Sequence, residues 1–145
     1  MNFIALTIND VDSIVNLYKE DFSDGWSKKM IEDAFLTGRF LAFGISEGQK
    51  LIGVITCSTT LFDADIESVF VDKGFRKQGI ASMLIVGLEK VLQENNIEKT
   101  FLEVRKSNLS AQNLYTKHGF NIISQRKNYY SDGEDAVIMA KELKK

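Results

Sequence analysis

The sequence predicts a mixed α/β fold with helices on both faces of a largely antiparallel sheet. Short segments with alternating apolar and polar residues indicate strands, and segments with apolar residues every three or four positions indicate helices. One predicted helix lies between two strands in the middle of the chain, which indicates a parallel, right-handed β-α-β unit. The predicted order is β-α-α-β-β-β-α-β-α-β-β, within a single domain that spans residues 1–145.

Capping and turn residues set the limits of these elements. Asn9 and Ser27 are expected to cap the first two helices, because their side chains can accept hydrogen bonds from free backbone amides. Gly38 and Gly119 are expected to end helices. The predicted strands lie at residues 3–7, 39–46, 50–60, 65–71, 99–104, 121–126 and 136–141, and the predicted helices at 9–22, 27–38, 80–95 and 109–118.

Composition argues against several classes of protein. The net charge is −2, so the chain lacks the basic surplus that is typical of a nucleic-acid-binding protein. The single cysteine, Cys57, excludes an intrachain disulfide, and one cysteine with one histidine are too few for a typical zinc site. The apolar segments are too short to cross a bilayer, and no basic region precedes an apolar run at the N-terminus. We therefore expect a cytoplasmic protein with no metal and no membrane partner.

A loop between a predicted strand and a predicted helix is a candidate phosphate site. Residues 76–81 read Arg-Lys-Gln-Gly-Ile-Ala, and the small residues Gly79 and Ala81 allow a ligand to approach the backbone amides. The following helix adds unpaired amides and the positive end of its dipole, and Arg76 and Lys77 add charge. The alternative is an ordinary strand-to-helix turn, which also favours a glycine. In the first case the ligand would lie at the carboxyl ends of the parallel strands.

Glu103 is a candidate general base. The strand at 99–104 places it on the face of Phe101, opposite Leu102 and Val104. A carboxylate among apolar strand residues, near the end of a strand, is suited to accepting a proton from a substrate. A glutamate exposed at a sheet edge, with no catalytic role, is the alternative.

Tyr115 and His118 share one face of the last predicted helix. A tyrosine at such a position usually packs its ring against the core and exposes its hydroxyl to solvent. It can also serve as a general acid. His118 is the only histidine of the chain and directly precedes Gly119. This position favours a role at the carboxyl end of the helix over a catalytic one.

Three segments together resemble the Gcn5-related N-acetyltransferase (GNAT) superfamily, namely residues 76–81, 102–108 and 114–120. Within it, residues 102–108 and 126–136 resemble the RimI type, and Gly25-Trp26-Ser27 is similar to the Pro-Trp-Ser of that type. The resemblance covers nearly the whole chain. It implies an enzyme that transfers acetyl from acetyl-CoA to the N-terminal alanine of a small-subunit ribosomal protein.

The resemblance also implies roles for individual residues. Glu103 corresponds to the family's proton acceptor and Tyr115 to its proton donor. Glu67, on the preceding strand, is the competing base, because other superfamily members have a base there. A backbone amide on the strand that ends at Val71 would stabilise the oxyanion of the thioester. Acetyl-CoA is expected to contact Val69, Phe70, Val71, Lys77, Gln78, Gly79, Ile80, Ala81, Ser82 and Asn108.

Three residues depart from the family pattern. Gly25 replaces a proline, Ala81 stands where a second glycine is usual, and Phe70 stands where a small residue is common. The last departure bears on the choice of substrate, because a small first residue of the acceptor would fit best beside Phe70.

Aromatic residues on connecting segments are expected to surround the entrance for the amine. They are Trp26, between the first two helices, and Tyr129 and Tyr130, between the last two strands. For Trp26 the alternative is a packing role beneath the helix pair. An α-amino group, with a pKa of about 8, is partly neutral at pH 7, whereas a lysine amine with a pKa of about 10.4 is almost fully charged, so one carboxylate base suits an N-terminal amine better.

Two other functions remain open at this level. The first is acetylation of a small-molecule amine such as a polyamine or an aminoglycoside, which needs a closed acidic pocket in place of an open groove. The second is a non-catalytic acyl-CoA-binding domain, which the presence of both Glu103 and Tyr115 disfavours.

Overall fold

The computed structural model describes residues 1–19 and 26–143. The predicted helix end at Phe22 and the Gly25 of the Gly-Trp-Ser segment lie outside the described residues. Along the part that is described, none of the helices has the length and apolar character needed to span a bilayer. The elements are β1 (Asn2–Ala5), α1 (Val11–Tyr18), α2 (Lys28–Leu36), β2 (Phe40–Glu47), β3 (Lys50–Thr59), β4 (Asp63–Val71), α3 (Ile80–Glu94), β5 (Lys99–Arg105), α4 (Leu109–Lys117), β6 (Asn121–Arg126) and β7 (Ala136–Glu142), with short 3-10 turns at Ile8–Asp10 and Lys73–Phe75.

The described strands form a seven-stranded sheet in the order β1-β2-β3-β4-β5-β7-β6. Only β4 and β5 run parallel among these neighbours, and α3 connects them. The predicted mixed, largely antiparallel sheet with one parallel unit is confirmed.

Two apolar cores lie on opposite faces of this sheet. Leu84 and Leu88 of α3 belong to one core, together with Ile55 of β3. Ile14 of α1 belongs to the other, together with Val54 of β3. Adjacent strand residues point to opposite faces, so α3 and α4 cover one face and α1 and α2 cover the other. The prediction of helices on both faces is confirmed.

Three predicted boundaries were wrong. Strand β1 ends at Ala5, two residues before its predicted end. Thr7, not Asn9, caps the first helical segment, because the Thr7 hydroxyl already accepts the Asn9 amide at 3.2 Å and the Asp10 carboxylate accepts the Thr7 amide at 2.7 Å. Strand β4 begins at Asp63, two residues earlier than predicted, because Asp63 is paired with Lys99 of β5. The predicted cap at Ser27 is confirmed, since its hydroxyl accepts the Met30 amide at 3.2 Å.

A β-bulge interrupts β4 in its middle. Thr56 of β3 pairs with Ser68, whereas the next residue, Cys57, pairs with Ile66. Glu67 is therefore the extra residue of β4. A bulge bends the strand that carries it and increases the local twist.

The bulge also separates β4 from β5. Pairing between the two strands ends at Ile66 and Leu102, immediately before Glu67. Ile66 packs in the core beneath α3, but Phe70, an even number of residues later, packs in the core beneath α1. Because of the extra residue, side chains that would point to the α3 face after Glu67 point to the α1 face instead. The carboxyl-terminal halves of β4 and β5 diverge.

Candidate active site

The diverging ends of β4 and β5 enclose a cleft of about 780 Å³. Its walls come from both strands, the start of α4, the connection between β6 and β7, and Trp26 before α2. The volume is large enough for a small molecule or for the first residues of a peptide. The predicted site residues that line it are Trp26, Val69, Phe70, Glu103, Asn108, Tyr115, Tyr129 and Tyr130, with the competing base Glu67.

Three carboxylates make one wall of the cleft acidic. Asp65 pairs with Phe101 across the parallel strands, which places Asp65 and Glu103 on the same face. Burial raises the pKa of Asp65, and the negative charges of Glu103 and Asp63 raise it further. Burial also raises the pKa of Glu67, with a smaller contribution from Asp65. This wall favours a cationic ligand, such as an amine before it loses its proton.

The Tyr129 hydroxyl lies beside Glu103. Hydrogen bonding to Glu103, burial and the negative charge of Glu103 raise the pKa of Tyr129. Tyr130 contacts the ring of Tyr129 edge-on, with 5.2 Å between centroids, and the Arg126 guanidinium lies 5.5 Å from the Tyr129 centroid. The β6–β7 connection therefore brings an aromatic pair directly against the candidate base.

Arg105, the last residue of β5, binds the β6–β7 connection. Its Nη1 lies 2.9 Å from the Asp132 carboxylate and 3.0 Å from the Glu134 carboxylate, and its guanidinium lies 4.1 Å from the Tyr130 centroid. The second oxygen of Glu134 accepts the Ser107 amide at 2.8 Å. Since Arg105 follows Glu103 by two residues, these bonds hold the β6–β7 connection, residues 127–135 and here called the tyrosine loop, beside the candidate base.

Tyr115 lies on the other side of the cleft, in the core beneath α3. Its side chain is 8% exposed, and burial raises its pKa to about 12. Phe120 packs against its ring at 5.9 Å between centroids. Asn108 caps α4, because its Oδ1 accepts the Ala111 amide at 3.1 Å, and its side chain also lines the cleft. The candidate acid and the candidate base therefore border the same cleft from opposite faces of the sheet.

Residues 77–82, here called the phosphate loop, fit a diphosphate. Lys77 and Gly79 have positive φ angles of 63° and 79°, which turn successive amides in one direction. The first hydrogen bond of α3 joins the Met83 amide to the Gly79 carbonyl at 3.0 Å, so the amides before Met83 lack a partner within the helix. A Cβ built on Gly79 meets no atom within 4 Å, which shows open space above the loop.

The edge of β4 beyond the bulge continues from this loop towards the cleft. Among the described strands, residues 69–71 pair with β3 and not with β5. Arg76 occupies the far end of that edge, since its Nε donates to the Val71 carbonyl at 3.0 Å and its guanidinium lies 5.5 Å from the Phe70 centroid.

The ring of Phe70 packs into the core beneath α1. It is 8% exposed and contacts Tyr18 edge-on at 5.8 Å between centroids. Below it, the Ser68 hydroxyl lies 2.6 Å from both the Tyr18 and the Thr56 hydroxyls, in a buried chain of hydrogen bonds. The core accommodates the large residue at this family position, so only a small part of the ring borders the cleft.

Trp26 combines the two roles that the sequence left open. Its ring stacks on Phe40 at 6.0 Å between centroids and packs against the core beneath α1 and α2. It is nevertheless half-buried and lines the cleft.

The structure therefore brings together the predicted base, acid and aromatic residues, while the phosphate loop and Val71 lie outside the lining of the cleft. Asp65, Arg105 and Arg126 also line the cleft, although sequence reasoning did not select them. Alternation with Glu67 along β4 was the available signal for Asp65. For Arg105 the signal was its place two residues after Glu103.

Comparisons with known proteins show the family of the chain. The model of the acetyltransferase (GNAT) family matches residues 11–120. The chain belongs to the GNAT family. A ribosomal protein bS18-alanine N-acetyltransferase of Haemophilus ducreyi is 42% identical over 106 residues, which are 70% of this chain and 73% of that protein. Its counterpart in Escherichia coli is 32% identical over 145 residues, with 97% of each protein covered.

A solved GNAT structure shows the same fold. The crystal structure of the ribosomal-protein-S18-alanine N-acetyltransferase from Escherichia coli superposes with a TM-score of 0.93 at 28% identity, covering 99% of this chain and 94% of that one. The resemblance to RimI-type enzymes seen in the sequence is confirmed. The chain is an acetyl-CoA-dependent N-acetyltransferase with RimI-like relatives.

Proposed function

We propose that the acceptor is the α-amino group of the N-terminal alanine of a small-subunit ribosomal protein, acetylated in the cytoplasm. The observation that carries this proposal is the cleft between β4 and β5, which holds Glu103 and the tyrosine loop on one side of the sheet and Tyr115 on the other. A donor and an acceptor can therefore meet between them from opposite faces. The names of the relatives from Haemophilus ducreyi and Escherichia coli supply the class of acceptor.

The phosphate loop and the edge of β4 beyond the bulge would hold acetyl-CoA. The amides of residues 77–82 would bind its diphosphate, and the backbone of residues 69–71 would bind the arm that leads to the thioester. Asn108 would add a donor from the start of α4. When bound, acetyl-CoA supplies an acetyl group activated as a thioester.

Glu103 would accept the proton of the attacking amine, directly or through water. The Tyr129 hydroxyl lies beside its carboxylate, within the acidic wall. Because an α-amino group has a pKa of about 8, removal of its proton near neutral pH demands little of the base. Glu67 remains the competing base, since it lines the same cleft and burial raises its pKa.

Tyr115 would protonate the thiolate that leaves. With a pKa of about 12, its hydroxyl retains its proton at neutral pH and can donate it. A thiol has a pKa of about 8.5 in water, so the transfer would be unfavourable there. The burial that raises the pKa of Tyr115 also raises the pKa of a thiol released beside it. The pKa of the leaving thiol is therefore closer to that of Tyr115 in the site than it would be in water.

Acetylation of a small polyamine is the second candidate, because Asp65, Glu67 and Glu103 together favour a polycation. A panel of peptides beginning with alanine, serine, glycine or leucine, compared with free lysine and spermidine, separates the two. The proposal expects the highest kcat/KM for an alanine-first peptide with the ribosomal sequence. Efficient acetylation of spermidine without peptide activity would contradict it.

A further inference from the structure

His118 connects the end of α4 to the phosphate loop. It follows the last residue of α4, and its Nε2 lies 2.8 Å from the Ser82 hydroxyl. Ser82 lies in the first turn of α3, before the first hydrogen bond of that helix at Met83. The imidazole therefore contacts a residue of the phosphate loop whose own backbone amide is proposed to bind the diphosphate.

The imidazole is half-buried among charges from three elements. Burial lowers its pKa, Glu89 of α3 raises it, and Lys141 of β7 and Lys117 of α4 lower it further. Lys141 also forms an ion pair with Glu89, with 2.8 Å between Nζ and the carboxylate, so these two charges largely offset each other. The protein surroundings alone therefore favour the neutral ring.

We propose that His118 is a positioning residue whose protonation is coupled to binding of the diphosphate of acetyl-CoA through Ser82. The proposal rests on the function proposed above, in which the phosphate loop holds that diphosphate. It concerns the strength of donor binding, and Glu103 and Tyr115 take no part in it.

The two protonation states direct the Ser82 hydroxyl differently. A neutral ring with its proton on Nδ1 accepts the Ser82 hydrogen at Nε2, so that hydrogen is not directed to a ligand. An imidazolium donates from Nε2 to the Ser82 oxygen, which leaves the hydroxyl hydrogen available to an anion and adds a positive charge behind it. A bound dianion would therefore favour the imidazolium, and by linkage protonation of His118 would strengthen binding by the same factor.

The single histidine makes this coupling directly measurable. Its imidazole signals in an NMR titration of untagged protein belong to His118 alone. Dephospho-CoA is the suitable probe, because it keeps the diphosphate but lacks the terminal phosphate, which itself titrates near pH 6. We expect saturating dephospho-CoA to raise the pKa of His118 by about 0.5–1 unit, which corresponds to binding that is about three- to tenfold tighter for the fully protonated ring than for the neutral ring. Affinity should therefore increase as the pH falls from about 8 to about 5.5.

Two variants isolate the contact. His118→Gln keeps a neutral side chain that can bond to Ser82, so dephospho-CoA affinity should lose its increase at acidic pH while kcat at saturating acetyl-CoA stays unchanged. Ser82→Ala removes the hydroxyl, so the ligand-induced rise of the His118 pKa should shrink. A purely structural role for His118 would alter thermal stability and leave the pH dependence of affinity as in the wild type.

The outcomes are distinct. Dephospho-CoA that binds without changing the pKa of His118 would overturn the coupling and leave the donor site intact. Absence of dephospho-CoA binding at either pH would overturn the coupling together with the proposed donor site.

Discussion

Replacing Tyr115 by phenylalanine tests the proposed acid, because the change deletes the hydroxyl and keeps the ring. The ring is 8% exposed and packs against Phe120 at 5.9 Å between centroids, and a phenylalanine retains both features. We therefore expect the free energy of unfolding to change by about 1 kcal/mol or less. Loss of a general acid should lower kcat by about 10²–10⁴, which is about 3–5 kcal/mol in the activation free energy.

The assay is the steady-state rate of thiol release at saturating acetyl-CoA and acceptor peptide, with KM for both substrates measured in parallel. Tyr18→Phe is the matched control, since it deletes another buried hydroxyl, which lies 2.6 Å from the Ser68 hydroxyl. The control should destabilise the protein by about 1 kcal/mol and keep kcat within about threefold. If Tyr115→Phe also keeps kcat within about threefold, Tyr115 is a packing residue and the proposed acid is wrong.

Three further predictions concern the base, the donor site and the tyrosine loop. Glu103→Gln should lower kcat by about 10²–10⁴, whereas the same result from Glu67→Gln alone would make Glu67 the base. Gly79→Val should raise KM for acetyl-CoA at least about tenfold, because a β-branched residue is strained by about 1–2 kcal/mol at a φ of 79° and its methyl groups enter the phosphate loop. The matched control is Gly38→Val, with a φ of 76° and equally open surroundings, which should lose similar stability without an effect on KM; an equal KM for both variants would place the diphosphate elsewhere. Arg105→Met should raise KM for the peptide at least about fivefold and leave KM for acetyl-CoA unchanged, because the loop loses its ion pairs to Asp132 and Glu134; an unchanged peptide KM would show that the loop does not bind the acceptor.

The order of elements followed from the sequence because each boundary carries a local signal. Ser27 offers a hydroxyl to the Met30 amide, and Gly38 adopts a φ of 76° at the end of α2. The parallel pairing of β4 and β5 followed equally from the helix between them. Such features depend on a few neighbouring residues and on chain connectivity.

No local sequence signal indicates the bulge at Glu67. Burial alternates regularly along β4 on both sides of it, so the sequence pattern looks like that of an uninterrupted strand. The exchange of faces depends on pairing with Thr56 and Cys57 of β3, which are distant in sequence. The burial of Phe70 beneath α1 follows from this exchange, and only the structure could show it.

Side-chain contacts between distant segments also could not be predicted from the sequence. The bond between His118 and Ser82 joins residues 36 positions apart, and the ion pairs of Arg105 reach residues 27 and 29 positions away. The motifs placed Glu103 and Tyr115 correctly near one cleft, but nothing in them indicated that the two lie on opposite sides of the sheet.

The most direct test of the proposed acceptor is mass spectrometry of ribosomal proteins from cells with and without this chain. The account predicts that the small-subunit protein S18 carries an acetyl group on its N-terminal alanine only when the chain is present, and that Glu103→Gln fails to restore it. An S18 N-terminus that is equally acetylated, or equally free, in both cell types would contradict the proposed acceptor.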